Sequence, residues 1–402
     1  MGHWRIEGGN IWREAAFTDN REMVLELKDE QDRVVQLTDE DLILPGFIDM
    51  HAHIWAPPAR SSFGVGGERY FSDGFLGALD AGTYGVDDWE AADKYWRNYA
   101  KLQMKSFISI IPEGLTVFPP VSPTKPEEIS VDRYVEVLSR NRKRALGVKI
   151  QLGWLPYKSV ETDTALLRLC REIADRSGTH MMVHTSGQCM DARDSANLMR
   201  KGDILTHPYS GFANTLLDEH GNVLPEVFMA RDRGVLIDVG FAGKHFSWKV
   251  FQQAYAQGLR FDTLGADLVE MSYKTPNSKI VDQFHILSAL LNFGINKEEV
   301  FRALITNPAR YLSFETESST RCVILKKREQ EFMITDGQCD SYCCKFLYSP
   351  ALVIQDGQLL KDEISFGHET KRRRKEDESE KKIAGSDDDY CGEPGSPKRL
   401  WR

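Results

Sequence analysis

Apolar and polar residues alternate in MVLEL (residues 23–27) and VVQL (34–37), with the polar KDEQD between them. That pattern predicts a short antiparallel hairpin. The other end of the chain reads alike: RCVILKK (321–327), EFMITDG (331–337) and ALVIQDGQLL (351–360) are rich in β-formers and carry Asp-Gly turns. Both ends therefore predict strands of one small sheet. Between them short apolar runs alternate with longer amphipathic ones, the signature of repeated βα units. Eight strands are expected: LILPGFIDMHAH (42–53), GTYGVDD (82–88), SFISIIPEG (106–114), ALGVKIQLG (145–153), THMMVHTSG (179–187), DILTHPYSG (203–211), GVLIDVGFAG (234–243) and TLGADL (263–268). Helical periodicity fills the gaps, as in residues 163–178 and in 279–294, where Gly294 reads as the C-terminal stop. Eight parallel strands with crossover helices close into an α/β fold, the (β/α)8 TIM barrel, whose site lies at the C-terminal strand ends.

The 402 residues, 41% of them hydrophobic, suffice for such a barrel with appendages. No apolar stretch is long enough to span a bilayer as a helix, so a membrane role is not expected. The first residues lack a basic start, an apolar middle and a cleavage site, which makes the cytoplasm the expected compartment. Seven cysteines, an odd number, fit reduced thiols better than a disulfide framework. Cys339, Cys343 and Cys344 are not spaced as a zinc knuckle. A net charge of −9 argues against a nucleic-acid role for the barrel. Residues 366–402 are charged in blocks and are expected to form a disordered tail. Its KRRRK run (371–375) leaves a nuclear address open.

Polar residues that end the predicted strands carry the chemistry. His51 and His53 end the first; being two apart, they face one side of it. Lys149 lies in the fourth strand, His184 ends the fifth, His207 the sixth and Asp267 the eighth. Left unpaired in an apolar barrel, each would cost about 1–3 kcal/mol, so a common partner must satisfy them. Imidazoles with a carboxylate suit divalent ions, zinc first, with manganese, iron or nickel as alternatives, and this many ligands feed two of them. A lysine facing two dications should lose its proton. The neutral amine can then capture carbon dioxide, and the resulting carbamate can bridge the pair.

These residues resemble the amidohydrolase superfamily in its binuclear, carboxylated-lysine form. PGFID-x-H-x-H, the strand lysine, two single strand-end histidines and the final strand aspartate carry the likeness, which covers residues 39–314. DAGTYG (80–85), GDILTHPYSGFANTLLDEHGNVLPEV (202–227), ARDRGVLIDVG (230–240) and TNPARYL (306–312) are similar to its deacetylase subgroup, related to dihydroorotases. The resemblance implies that His51, His53 and Asp267 hold one metal, that His184 and His207 hold the other, and that Lys149 bridges. It implies residues 1–41 and 317–365 as the two parts of a β-sandwich beside a barrel of residues 42–316. The implied activity is hydrolysis of an amide or ester bond of a small molecule, with a metal-bridging hydroxide as nucleophile and Asp267 as the catalytic proton carrier. The alternatives are a cyclic-amide hydrolase, dihydroorotase- or hydantoinase-like, and a non-catalytic scaffold. By analogy with the superfamily, a homo-oligomer is also open.

The chain departs from the subgroup where relatives carry histidines. Phe241 follows the DVG of the seventh strand, and Leu268, Val269 and Glu270 follow Asp267. His245, Arg60 and Tyr84 are the candidates for recognising a substrate's polar groups. Asp49 reads as a supporting hydrogen-bonder. His3, His180, His220, His285 and His368 read as surface or packed residues, and Cys189 as a loop thiol.

Overall fold

The computed structural model describes residues 2–28, 30–57, 63–115, 124–153, 158–269 and 282–364. Seven parallel strands form one sheet in which each is bonded to its sequence neighbours: Phe47–Ala52, Phe75–Gly85, Gln103–Ser109, Ala145–Gln151, His180–His184, Ile204–Thr206 and Leu236–Asp238. Parallel strands covered on both faces need apolar side chains on both, and all eleven residues of Phe75–Gly85 are buried. Helices cross back between the strands. Val160–Ser177 illustrates how they are bounded: the Ser159 hydroxyl accepts from the Thr162 N–H, and Gly178 takes the left-handed stop.

The eighth predicted strand forms only a single bridge, Asp238 with Thr263. Residues 263–267 nonetheless fill the gap in the barrel. Val239 and Phe241 donate N–H groups to the carbonyls of Thr263 and Gly265, and on the other side Asp267 donates to the His51 carbonyl. Asp267 turns left-handed at φ 53°, which stops a regular ladder there.

Three further expectations need correction. Residues 42–53 are two strands. Leu42–Leu44 joins an end sheet and Phe47–Ala52 the barrel, because Pro45 and Gly46, at φ 124°, break the run. The expected hairpin of residues 23–37 does not form either, since Gly2–Glu7 lies between its arms, antiparallel to Glu22–Leu27 and parallel to Arg33–Gln36. The single end sheet is also divided. Three strands from each end make a six-stranded sheet, the Gly2–Glu7 group makes a second, and Phe332–Thr335 pairs with Ser341–Cys344 as a separate hairpin. Trp12 and Phe17 from the N-terminal part pack on Phe301 with ring centroids 6.1 and 5.0 Å away. Residues 2–362 belong to a single compact unit. Among the described residues no helix is long and apolar enough to cross a membrane.

Candidate metal centre

Register and strand ends explain how six distant residues meet. His184, Thr206 and Asp238 are lateral partners in adjacent strands. Two residues earlier Met182 pairs with Lys149 on one side and Ile204 on the other. Lys149 thus rises from an apolar layer into a polar one. Its approach depends on Gly82: at φ 84°, a Cβ there would stand 2.7 Å from the Lys149 Cβ. His207 follows its strand at φ 60° and Asp267 takes 53°, conformations costing non-glycine residues of order 1–3 kcal/mol. Such strain persists where the surroundings demand it.

All six converge. One nitrogen each from His51 and His53 and one carboxylate oxygen of Asp267 lie within 4.8 Å of one another. Asp267 Oδ1 is 3.0 Å from His53 Nε2 and 3.6 Å from His51 Nε2, while its Oδ2 is 3.6 Å from His207 Nε2. Lys149 Nζ stands 3.4 Å from His51 Nε2. His184 joins through His207, with ring centroids 4.2 Å apart.

Hydrogen-bond accounting fixes how the rings are protonated. The Thr83 hydroxyl gives its one proton to Asp80 (2.7 Å), so towards His53 Nδ1 at 2.8 Å it accepts. The Thr206 hydroxyl likewise gives its proton to Asp238 at 2.7 Å. His51 Nδ1 is therefore the donor to Thr206 (2.9 Å) and Asp238 (3.2 Å). His207 Nδ1 donates to the Gly240 carbonyl at 2.6 Å, and His184 Nε2 to the Ser186 carbonyl at 3.1 Å. Each ring thereby keeps a lone pair on its other nitrogen. In particular, the free nitrogen of His53 faces a carboxylate oxygen, two acceptors in contact. A proton on Nε2, making an ion pair with Asp267, or a metal ion would reconcile them. One shared proton serves one such pair, and His207 Nε2 is also buried with no hydrogen-bond partner.

Electrostatics agree with a cation-binding pocket. Burial pushes His51, His184 and His207 below the ordinary histidine range, and the positive charge of Lys149 adds to it in each. Burial also pushes Lys149 down to about 8, against the pull of Asp267, Asp238 and Asp80. Asp267 goes the other way from what burial dictates: the rings of His51 and His53 hold it well below the usual carboxylate range.

Asp49 supports the site as expected, accepting from the backbone N–H of His51 at 2.9 Å and of Ala266 at 3.2 Å. Sequence reasoning missed Thr83, Asp80, Thr206 and Asp238, which orient the rings. All four sit inside phrases already singled out: Asp80 and Thr83 in DAGTYG, Thr206 in the phrase beginning GDILTH, and Asp238 in LIDVG. The usable signal was a polar residue at the end of an apolar strand.

The candidates for substrate recognition fare differently. Tyr84 is tied to the fold. Its hydroxyl donates to the Ala56 carbonyl and accepts the Ala56 N–H, and its ring packs on Trp96. That use of both sides of the hydroxyl withdraws it as a recognition residue. Arg60 and Glu270 lie outside the described residues, as does His368. Phe241 is buried against Phe246, and Leu268 is buried. His245 is buried beside His184 and His207, with burial and the neighbouring Lys244 lowering its pKa to about 3. His3 and His220 are exposed, His180 and His285 half-buried, and Cys189 is a half-buried loop thiol.

No family model matches the chain. Curated deacetylases of Agrobacterium fabrum and Brucella anthropi are each 25% identical to it over 280 residues, which is 69% of this chain and 67% of theirs. A deacetylase of Enterococcus faecalis is 21% identical over 328 residues, 78% of this chain and 85% of its own. Among solved structures, a dihydroorotase superposes with a TM-score of 0.75 at 20% identity, covering 90% of this chain and 98% of that one. An adenine deaminase gives 0.72 at 18%, covering 89% and 98%. The chain thus shares its fold, a nearly closed parallel barrel with flanking antiparallel sheets, with those two structures, and it is similar in sequence to curated deacetylases.

Proposed function

We propose that this protein is a metal-dependent hydrolase that cleaves an amide C–N bond, or an ester, of a small molecule in the manner of a deacetylase. The observation that carries the reading is one buried cluster in which the Nε2 atoms of His51, His53 and His207 face the Asp267 carboxylate, the Lys149 amine lies 3.4 Å from His51, and His184 packs on His207. Five of these donors suit divalent ions, with zinc the expected metal and manganese, iron or nickel the alternatives. His51, His53 and Asp267 would hold one ion, and His184 and His207 the other. Lys149, whose lowered pKa keeps much of it neutral near pH 8, would bridge them as its carbamate. Two such ions supply a water acidified towards neutral pH and a polarised carbonyl.

The protein's own groups supply the rest. Thr83, Thr206 and Asp238 keep His51 and His53 turned inward, so their orientation costs nothing at the moment of reaction. Asp267 is anionic and stands at the centre of the cluster. It accepts the proton of the attacking water and returns it to the departing amine or alkoxide. A carboxylic acid and an amine or alcohol leave. The fold shared with a dihydroorotase keeps ring opening of a cyclic amide as the second reading.

Metal analysis followed by an activity screen tests the proposal. Purified protein should carry up to two divalent ions per chain and should hydrolyse members of one class among N-acyl amino acids, cyclic amides, lactones and acyl esters. A chain that stays metal-free and silent after incubation with zinc, manganese and bicarbonate is a scaffold, and the hydrolase reading is then wrong.

A further inference from the structure

His245 is the one histidine of the cluster that the proposed metal set does not use. Its ring lies 4.7 Å from that of His184 and 4.8 Å from that of His207, centroid to centroid. The loop that carries it does not need its side chain. Ala242 and Gly243 turn left-handed, Phe246 is packed against Phe241 and Trp248, and its carbonyl accepts the Gly337 N–H. Ser247 donates its N–H to the Tyr209 carbonyl, and Trp248 donates to Asp336. The loop is thus fastened on both sides of His245 by other groups.

The ring itself is held at one corner. Nδ1 is 2.7 Å from the Ser186 hydroxyl, which is 2.9 Å from the Ser210 hydroxyl. Among the described residues, nothing hydrogen-bonds Nε2. Unlike the sealed Nε2 of His207, this nitrogen is not among the fully buried, unpartnered atoms, and the residue as a whole keeps 7% of its surface accessible where His207 keeps 0%. A neighbour of two ring ligands, positioned by serines and open at its far nitrogen, is placed to meet whatever enters the cluster.

We propose that His245 contacts the substrate: Ser186 fixes Nδ1, and Nε2 hydrogen-bonds a second polar group beside the scissile bond. The substrate class is therefore one with such a group, as N-acyl amino acids and cyclic amides have and simple aryl acetates lack. This rests on the hydrolase reading and sharpens it.

Asparagine and glutamine separate the two nitrogens, since the amide of Asn occupies the place of Nδ1 and that of Gln the place of Nε2. Wild type, His245→Asn and His245→Gln are compared on N-acetyl amino acids, dihydrouracil and 4-nitrophenyl acetate, with metal content measured for each. The Asn variant should lose about 100-fold in kcat/KM on the first two kinds, mainly through KM, and should change less than about 3-fold on 4-nitrophenyl acetate. The Gln variant should stay within about 10-fold of wild type, and all three should hold the same metal. The reverse order, Asn active and Gln not, overturns the proposal in favour of a positioning role through Ser186. Equal losses on all substrates, loss of metal, unchanged kinetics in the Asn variant, or wild-type activity confined to 4-nitrophenyl acetate also overturn it, and leave the hydrolase reading standing. A wild type silent on every compound removes both.

Discussion

Lys149 is the residue whose chemistry is most exposed to test. A buried amine with a pKa of about 8 is an ammonium below that pH and a nucleophile above it. Bridging demands the second state, so protons compete with carbon dioxide and metal. Metal affinity should fall by about tenfold per pH unit as the pH drops from 8 to 6, read by zinc titration at fixed bicarbonate. The same shift sets a sign for the metal-free protein. Between about 8 and the ordinary lysine value of 10.5 the unfolded chain holds a proton that the folded chain has lost, so stability should rise with pH across that window. Replacement of Lys149 by Ala should reduce turnover by at least about a thousandfold, as expected for loss of a group on which the whole centre depends. Added formate or propionate should restore part of it by supplying the missing bridging oxygens. Activity of Lys149→Ala near the wild-type level would show that the amine is a bystander.

At the scale of single elements, strand ends position the chemistry and small residues make the room. Alanine in place of Gly82 would set a Cβ 2.7 Å from that of Lys149 in a backbone conformation L-residues avoid. Gly82→Ala should therefore cost about 1–3 kcal/mol of stability and lower activity further by displacing the lysine, measured as denaturation midpoint and kcat on one preparation. Gly240 does the same for His207, since its carbonyl takes the Nδ1 proton and an added Cβ would come within 2.4 Å of the Thr206 hydroxyl oxygen. These elements also explain what the sequence could and could not reveal. His51, His53, Lys149, His184, His207 and Asp267 were legible because each is a functional group at the end of an apolar run, where it would be costly without a partner. Thr83 and Asp238 were not, because a short polar residue in a strand looks ordinary until its proton is traced to a neighbour. The Gly2–Glu7 strand was missed because a sheet neighbour is chosen in space. Two alternating segments nearby in sequence look like a hairpin whether or not a third strand, reached through the Gly8–Gly9 turn, slides between them. TLGADL reads as a strand because its composition is right, yet the left-handed Asp267 that makes it useful also ends its ladder.

Over the whole molecule, the C-terminal hairpin links the end sheets to the rim of the barrel. Its turn is organised by Asp336, which accepts from the N–H groups of Gln338 and Asp340 within the turn and from that of Trp248, the first residue of the helix that follows the loop after the seventh barrel strand. Gly337 adds its N–H to the Phe246 carbonyl, and the Gln338 side chain lies where a Cβ on Gly211 would come within 2.6 Å. The hairpin thus clamps the loops that follow His207 and carry His245. The clamp's geometry gives a last prediction. Asp336→Ala leaves the buried Trp248 N–H and the N–H groups of the exposed residues Gln338 and Asp340 without their acceptor and should cost about 1–3 kcal/mol. Because the metal-facing histidines are oriented by Thr83, Thr206, Asp238, Ser186 and Gly240, none of which touches the hairpin, metal content should stay at the wild-type value. Amide exchange should quicken in residues 242–248 and not in the strand carrying Lys149, and KM should rise more than kcat falls. A variant that loses metal along with stability would mean that the clamp and the cluster form one cooperative unit, and that the end strands belong to the site as much as the barrel does.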